Sequence, residues 1–128
     1  MLWDSKVNWF SRNSSEQADG AISQISVQDL KAALDKDSSL HLIDVRTREE
    51  VDAAHLEATK ARIEYHEIAE KINTDDFPKD QPIYLICRVG RRSMIAAREL
   101  REVGFEKIFN VAGGITDWIH AGFPIIKH

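Results

Sequence analysis

The sequence predicts an α/β fold of three layers, in which a mostly parallel central sheet is covered by helices on both faces. The first indication is a set of short apolar segments bounded by polar turns, as expected for strands. The second is that the segments between them carry apolar residues at helical spacing. Strands without alternating polar residues belong to sheets buried on both sides, which are mostly parallel. The predicted strands cover residues 40–45, 83–86 and 108–111.

The predicted helices have start or stop signals in the sequence. Ser26 and Asp29 resemble a capping box, and apolar residues at helical spacing follow them. Gly104 occupies the position of a helix C-terminal stop. The remaining helices are predicted over residues 48–54, 65–72 and 92–103, with a last one after Gly113-Gly114 that runs through Trp118.

The chain divides into a short N-terminal arm and one domain. Residues 1–20 are predicted to form an amphipathic arm and linker, because Trp3, Val7 and Phe10 recur at helical spacing. An arm of this length is marginal as an isolated helix, so it docks either on its own domain or on a partner. Residues 21–128 form the predicted domain, whose oligomeric state the sequence leaves open.

Composition and charge exclude several classes of function. A formal net charge of −4 argues against nucleic acid as the partner, since phosphate binding uses a broad basic face. No segment approaches the roughly 20 apolar residues that span a bilayer, and the N-terminus lacks a secretory signal pattern. We therefore expect no membrane span and a cytoplasmic location, or a periplasmic one if a signal peptide has been removed. The single cysteine excludes an intrachain disulfide.

That cysteine, Cys87, follows the strand predicted at 83–86 and opens a strongly basic loop. Strand, loop and helix in this order place a thiol beside the backbone amides of a helix N-terminus, which attract anions and favour the thiolate. Gly90 permits the positive φ of an anion-binding nest. The candidate substrate-binding residues of the loop are Arg88, Val89, Gly90, Arg91 and Arg92.

The three arginines of this loop have different expected roles. Arg88 and Arg91 are predicted to face a pocket, where guanidinium groups clamp an oxyanion bidentately. Arg92 fits a substrate-binding or a structural role equally well. Cations at a helix start are unfavourable against the helix dipole, which makes three together hard to explain as ordinary surface.

Three further residues are predicted to support the loop. Asp44 and Arg46, at the end of the strand 40–45, are expected to face the same side of the sheet as Cys87. Arg46 is predicted to pair with Glu50 and so to brace the loop region. The five histidines show no metal-ligand spacing, so no metal is expected.

Four segments, in order along the chain, resemble the rhodanese-like domain family, and specifically a single-domain thiosulfate sulfurtransferase. The resemblance covers about residues 22–126. Taken together the four are a specific signature, although each alone is weak. They are Leu42-Ile43-Asp44-Val45-Arg46 with Glu50 and His55-Leu56; Tyr84-Leu85-Ile86-Cys87-Arg88-Val89-Gly90-Arg91-Arg92-Ser93; Gly104-Phe105 with Ile108 and Val111; and Gly113-Gly114-Ile115-Thr116-Asp117-Trp118 with Ala121-Gly122-Phe123-Pro124.

The resemblance implies a ping-pong transfer of sulfane sulfur that uses no metal or organic cofactor. Cys87 would take sulfur from a small anionic donor such as thiosulfate, hold it as a persulfide, and pass it to cyanide or a thiol. The backbone N–H groups of residues 88–92 would stabilise the persulfide. A protein donor or acceptor of sulfur is compatible with the same chemistry, and His55 is expected to be structural because a preformed thiolate requires no base.

The sequence departs from the family in one region. Ala54 stands where the family usually has glycine, and the segment 58–64 is one residue longer and lacks the family's proline. This segment is expected to alter the pocket wall nearest to it, and substrate choice with it.

Two alternatives remain. One is a persulfide carrier or protein-interaction module without catalysis. The other is a phosphatase or arsenate reductase of the same architecture, which uses a cysteine, five intervening residues and an arginine. Here the sixth residue after Cys87 is Ser93, so the shorter loop favours sulfur over a tetrahedral oxyanion.

Overall fold

Five parallel strands form the central sheet, in the spatial order β1-β6-β5-β2-β4. The structure, a computed structural model, describes residues 20–128. A separate antiparallel pair joins β3 to β7. The strands are β1 Ile22–Ile25, β2 Leu42–Asp44, β3 Ala54–His55, β4 Ala61–Arg62, β5 Ile83–Ile86, β6 Ile108–Val111 and β7 Ile126–Lys127.

Helices cover both faces of this sheet, as the sequence predicts. Helices α1 and α5 pack on one face, and α3 and α4 pack on the other. The helices are α1 Val27–Lys36, α2 Arg48–Ala53, α3 Ile68–Lys71, α4 Arg91–Glu102 and α5 Gly114–His120. The three-layer α/β fold with a mostly parallel sheet is therefore confirmed.

Strand β5 lies at the centre of the sheet and shows why its sequence is uniformly apolar. All four of its residues are buried, and successive side chains point to opposite faces. Ile83 and Leu85 join the core beneath α4, whereas Tyr84 and Ile86 join the core beneath α1 and α5. The next side chain, that of Cys87, belongs to the α4 face by the same alternation.

Local signals explain where the helices begin and end. The Ser26 hydroxyl accepts a hydrogen bond from the Asp29 amide at 3.0 Å, which caps α1. Gly104, with a φ of 104°, follows α4 as its left-handed stop. The strands predicted at 83–86 and 108–111 are confirmed at both ends.

The helix predicted over residues 65–72 is mostly wrong. Only Ile68–Lys71 is helical, because the chain before it continues alongside β2. The Tyr65 amide donates to the Val45 carbonyl at 3.1 Å, and residues 65–67 form a turn closed by a hydrogen bond from the Glu67 amide to the Glu64 carbonyl at 3.0 Å. The helical spacing of apolar side chains in this segment therefore reflects packing against the core, not one continuous helix.

Two predictions concern other parts of the chain. The arm and linker predicted over residues 1–20 lie outside the described residues except for Gly20. Within residues 20–128, no helix is long and apolar enough to cross a membrane.

Candidate active site

Cys87 lies directly after the central strand, at the carboxyl edge of the sheet. Its side chain has no exposed surface, yet its sulfur faces polar groups of the loop. The Gly90 amide lies 3.1 Å and the Ser93 amide 3.4 Å from Sγ. The Ser93 hydroxyl lies 3.3 Å from the same atom. The predicted amide cradle is present, with the thiol at its base rather than at its rim.

The N-terminal turn of α5 holds the loop in this shape. The amides of Ile115 and Thr116 donate to the carbonyls of Cys87 and Arg88 at 2.9 and 3.0 Å. With those carbonyls directed toward α5, the following amides are free to point at the sulfur. Gly114 allows the close approach, because a Cβ there would overlap the Cys87 carbonyl and lie 2.6 Å from that of Arg88.

Gly90 makes the turn into α4. Its φ of 95° and ψ of 2° are left-handed, a conformation that glycine adopts without the strain of a side chain. This conformation lets the Gly90 amide point back at the sulfur while α4 begins at the next residue. The positive φ expected for a nest is therefore found where the sequence predicts it.

The cradle favours the thiolate of Cys87. Burial acts to raise the pKa of the Cys87 thiol, because it penalises the charged form. Hydrogen bonds from the Ser93 hydroxyl and from the amides of Ser93, Gly90 and Val89 act in the opposite direction. The donors prevail, and the pKa of Cys87 is lowered from its ordinary value.

Above the cysteine the loop forms a basic concavity that we call the loop basin, lined by Glu50, Arg88, Val89, Arg91 and Arg92. Arg88 and Arg91 are exposed, and neither forms an ion pair with any residue from 20 to 128. Val89, which has 50% of its surface exposed, adds an apolar side chain between them. The structure thus places the two predicted anion ligands at the mouth of the site.

Arg92 has a different environment from the other two arginines. Its two terminal nitrogens lie 2.7 and 2.9 Å from the two carboxylate oxygens of Glu50, a bidentate pair that joins α4 to α2. The Arg92 side chain, by donating to this carboxylate, lowers the pKa of Glu50 to about 2. Of the two roles predicted for Arg92, this geometry matches the structural one.

The predicted pairing of Arg46 with Glu50 is wrong. Arg46 pairs with Asp44, with Nη2 lying 2.8 Å from Oδ2, and it also donates to the Ala54 carbonyl at 2.7 Å. Both side chains are buried, so the nearest carboxylate at the same strand end satisfies the guanidinium. Glu50 instead forms a capping box with Thr47 at the start of α2 and faces Arg92.

Sequence reasoning missed two polar residues of the site, Ser93 and Asn110. Both are buried, and the Ser93 hydroxyl donates to the Asn110 side-chain carbonyl. Asn110 stands inside the apolar strand Ile108–Val111, and a polar residue buried in a central strand is itself a signal. Ser93 gave no such signal, because serine is common in the first turn of a helix.

The atypical segment 58–64 does not line the loop basin. Its residues Ala61 and Arg62 form β4, the edge strand that pairs with β2. This segment instead borders a second concavity, the neighbouring pocket, lined by Arg46, Arg48, Val51, Arg62, Ile63, Glu64, Glu67 and Lys71. The departure from the family pattern therefore changes the surface beside the site rather than the basin above Cys87.

The part of the chain that the structure describes has no set of side chains that could bind a metal ion. Groups of three or more histidine, cysteine, aspartate or glutamate side chains suited to a metal are absent from residues 20–128. His55 of β3 stacks on His128, the residue after β7, with ring centroids 5.0 Å apart.

Comparison with known proteins agrees with this geometry. "Putative sulfur carrier protein YrkF" of Bacillus subtilis is 39% identical over 106 residues, which are 83% of this chain and 55% of that protein. "Thiosulfate sulfurtransferase 18" of Arabidopsis thaliana is 32% identical over 125 residues, covering 88% of this chain and 89% of that protein. The chain thus spans only about half the length of the first relative and most of the second.

Solved structures show the same fold. The crystal structure of a rhodanese-like domain protein from Staphylococcus aureus has a TM-score of 0.65 at 28% identity, covering 74% of this chain and 89% of that one. The family model described as Rhodanese-like domain matches residues 26–121. That span runs from the cap of α1 through α5 and contains the entire cysteine loop. The chain belongs to the rhodanese-like domain family.

Proposed function

We propose that this protein is a sulfurtransferase that moves sulfane sulfur from a thiosulfate-type donor to a thiol or cyanide through a persulfide on Cys87. The observation that carries the proposal is the cradle itself. Two backbone amides and a hydroxyl lie within 3.4 Å of the only sulfhydryl of the chain. Donors arranged in this way stabilise a sulfur anion without a metal or a base.

The first chemical step is nucleophilic attack by the Cys87 thiolate on the outer sulfur of the donor. A new S–S bond forms as the donor's S–S bond breaks, and sulfite leaves with the bonding electron pair. In the second step the acceptor attacks the outer sulfur of the persulfide, and Cys87 leaves as a thiolate. The two steps together transfer one sulfur atom and regenerate the starting enzyme.

The loop basin supports a doubly charged donor. Arg88 and Arg91 are exposed and have no ion-pair partner in residues 20–128, so their charge is available to an incoming anion. Thiosulfate would gain more from two such cations than the singly charged 3-mercaptopyruvate would. We therefore favour thiosulfate over 3-mercaptopyruvate as the class of donor.

Access to the sulfur requires motion. Because Cys87 has no exposed surface, attack on a donor needs a rotation of its side chain or a shift of the loop. The bonds from the Ile115 and Thr116 amides to the Cys87 and Arg88 carbonyls hold the start of the loop on α5, so a rotation of the side chain alone leaves the loop backbone in place.

Intact mass after incubation with thiosulfate tests the proposal. We expect the wild-type protein to gain one sulfur atom, which cyanide removes, and the matched variant Cys87→Ser to gain nothing. A wild-type protein that folds but stays unmodified with thiosulfate and with a persulfidated donor would contradict it. Release of phosphate from an aryl phosphate without any mass gain would identify the phosphatase alternative.

A persulfide carrier that serves a protein partner is the second candidate. It is favoured by the buried sulfur and by two exposed apolar side chains, Val89 of the loop at 50% and Ile95 of α4 at 42%. A relative called a sulfur carrier protein fits the same reading. This candidate predicts weak turnover with free thiosulfate but rapid acceptance of sulfur from a persulfidated protein donor, which the same mass measurement distinguishes.

A further inference from the structure

Asn110 is a buried polar residue that contacts both sides of the thiol cradle. It lies in β6 with 2% of its surface exposed. Its Oδ1 accepts a hydrogen bond from the Ser93 hydroxyl. Its Nδ2 donates to the Gly90 carbonyl at 3.3 Å and to Gln24 Oε1 at 2.8 Å. One amide side chain thus contacts Gly90 and Ser93, two of the residues that donate hydrogen bonds to the Cys87 sulfur.

The orientation of this amide follows from its partners. The Gly90 carbonyl can only accept a hydrogen bond, so the nitrogen of Asn110 must face it. The oxygen of Asn110 therefore faces Ser93 and acts as an acceptor. The Ser93 hydroxyl accordingly has two groups that compete for its proton, Asn110 Oδ1 and the Cys87 sulfur.

The competition for the Ser93 proton depends on whether Cys87 is a thiol or a thiolate. A serine hydroxyl has a single proton to donate. When Cys87 is a thiol, its S–H can donate to Ser93 Oγ while the hydroxyl donates to Asn110, and every group is satisfied. When Cys87 is a thiolate, the hydroxyl serves either the sulfur or Asn110, and one of the two loses its donor.

We propose that Asn110 is a positioning residue that competes with the Cys87 thiolate for the Ser93 hydroxyl proton and thereby favours the neutral forms of the cysteine. On ionisation the thiol proton leaves to solvent, the Ser93 hydroxyl rotates to the sulfur, and Asn110 Oδ1 is left without that donor. A buried acceptor without its donor is costly, so Asn110 opposes ionisation. The loop amides donate to the sulfur without facing such a competing acceptor, and they favour ionisation of Cys87.

The consequence for catalysis rests on the proposed function. In the persulfide the inner sulfur is divalent and carries no charge, so the Ser93 hydroxyl returns to Asn110. Asn110 therefore stabilises the loaded state relative to the free thiolate. It retains the sulfur until an acceptor attacks, and its removal should favour discharge.

Charged residues lie on several elements around the cysteine loop, and none of them takes part in the competition for the Ser93 proton. The charged residues of the loop and of the elements around it are Arg88, Arg91 and Arg92 from the loop and α4, Glu50 from α2, the Asp44–Arg46 pair at the end of β2, and Asp117 on α5. Within residues 20–128, Asn110 forms no hydrogen bond or ion pair with any of them. Its replacement by an uncharged residue leaves this electrostatic environment in place.

Titration of the thiolate by ultraviolet absorbance tests the inference without requiring reagent access to the buried sulfur. The chain has one cysteine, so subtracting the titration of Cys87→Ser isolates its signal. We expect Asn110→Leu to lower the pKa of Cys87 by about one unit, a tenfold change in the ionisation constant. In a Ser93→Ala background the same substitution should leave the pKa unchanged.

The double-mutant design separates positioning from simple support of the loop. Loss of the bond to the Gly90 carbonyl would shift the pKa equally with and without the Ser93 hydroxyl, and an equal shift overturns the inference. A rise of the pKa in Asn110→Leu also overturns it. Asn110→Ala, with the same expected direction, is the second variant.

Ser93→Ala alone provides a measurement that needs no substitution at Asn110. We expect it to change the pKa of Cys87 by much less than one unit, because donation to the sulfur in the wild type is offset by loss of the bond to Asn110. A rise of a full unit or more would mean that the hydroxyl serves the sulfur unopposed, which refutes the competition. None of these titrations depends on sulfur transfer, so the mass measurement can fail while they succeed, or the reverse.

Discussion

Two basic concavities lie at the carboxyl edge of the sheet, and they differ in how their cations are paired. In the neighbouring pocket each cation has a carboxylate within 4 Å: Arg46 with Asp44, Arg48 and Arg62 with Asp52, and Lys71 with Glu67. In the loop basin only Arg92 is paired, with Glu50. Arg88 and Arg91 have no such partner in the described chain.

From this difference we expect the pairing of the cations, rather than their number, to decide where an anion binds. A paired cation contributes little to the field at its pocket, because its carboxylate cancels most of the charge. An unpaired cation beside inward-pointing amides adds its whole charge. The loop basin is therefore the expected anion site although the neighbouring pocket has four cations.

The largest expected effect comes from the support beneath the basin. We predict that Gly114→Ala lowers the free energy of unfolding by roughly 3 kcal/mol or more, since the new Cβ collides with backbone carbonyls of Cys87 and Arg88. Protein that still folds should show a raised thiol pKa, because the amides of the cradle are displaced. Urea unfolding and the thiolate titration measure the two effects.

Gly122→Ala is the matched control for this substitution. Gly122 also has a positive φ, of 79°, but a Cβ there meets nothing within 4 Å. It should cost only the backbone strain of a left-handed alanine, about 1 kcal/mol. Equal destabilisation by the two substitutions would show that steric overlap at Gly114 is unimportant.

A smaller effect is expected from removing the unpaired charges. We predict that replacing both Arg88 and Arg91 by alanine lowers kcat/KM for thiosulfate roughly 100-fold at low ionic strength, mainly through KM. This corresponds to about 1.4 kcal/mol for each charge. Added salt should narrow the difference between variant and wild type, because it screens the exposed arginines. Steady-state kinetics at two salt concentrations provide the measurement.

The neighbouring pocket supplies the control for the arginines. Replacing both Arg62 and Lys71 by alanine removes the same formal charge from paired positions, and kcat/KM should change by no more than about twofold. If this double variant were impaired as strongly as the basin variant, pairing would not be the deciding difference between the two concavities.

The smallest expected effect concerns the one ion pair of the basin. Glu50→Gln keeps the cap at Thr47 but removes the charge that faces Arg92, and it should cost about 1 kcal/mol of stability at neutral pH. The pKa of Glu50 is about 2 in the folded protein and roughly 4.3 when unfolded. The stabilisation is therefore complete above about pH 4.3 and is lost as the pH falls through about 2.

Urea unfolding of wild type and Glu50→Gln across this range measures the contribution. The difference in free energy between them should be largest at neutral pH and should vanish below about pH 2. Glu67→Gln, which breaks the more exposed pair with Lys71 in the neighbouring pocket, is the control and should have a smaller effect. If the difference in unfolding free energy between wild type and Glu50→Gln grew on acidification, the ionised Glu50 carboxylate would not be the source of the stabilisation.

The sequence identifies the cysteine loop well because its signals are local. Cys87, Gly90 and the start of α4 follow one another directly, and each restricts the backbone conformation of the next. The pairings of charged residues are less predictable. The Glu50–Arg92 pair joins residues 42 positions apart, and the sequence offers several other carboxylates at similar distance along the chain.

The helix predicted over residues 65–72 failed for a related reason. Its apolar spacing fits a helix, but the amides of Ile63 and Tyr65 donate to the carbonyls of Asp44 and Val45 and so hold this part of the chain at the end of β2. Bonds to residues about twenty positions earlier compete with the local preference, and local periodicity contains no information about them. Asn110 likewise becomes part of the site only because β6 lies beside β5.

The sequence by itself determined the three strands at the middle of the sheet, the place of the thiol after the central strand, and the glycine that turns the loop, since these depend on neighbouring residues. Only the tertiary structure decided which cations keep their charge available, which carboxylate each of the others binds, and which side chain competes for the Ser93 proton. Those outcomes depend on which distant segments the sheet brings into contact, and hydrogen bonds and ion pairs act only at contact distance.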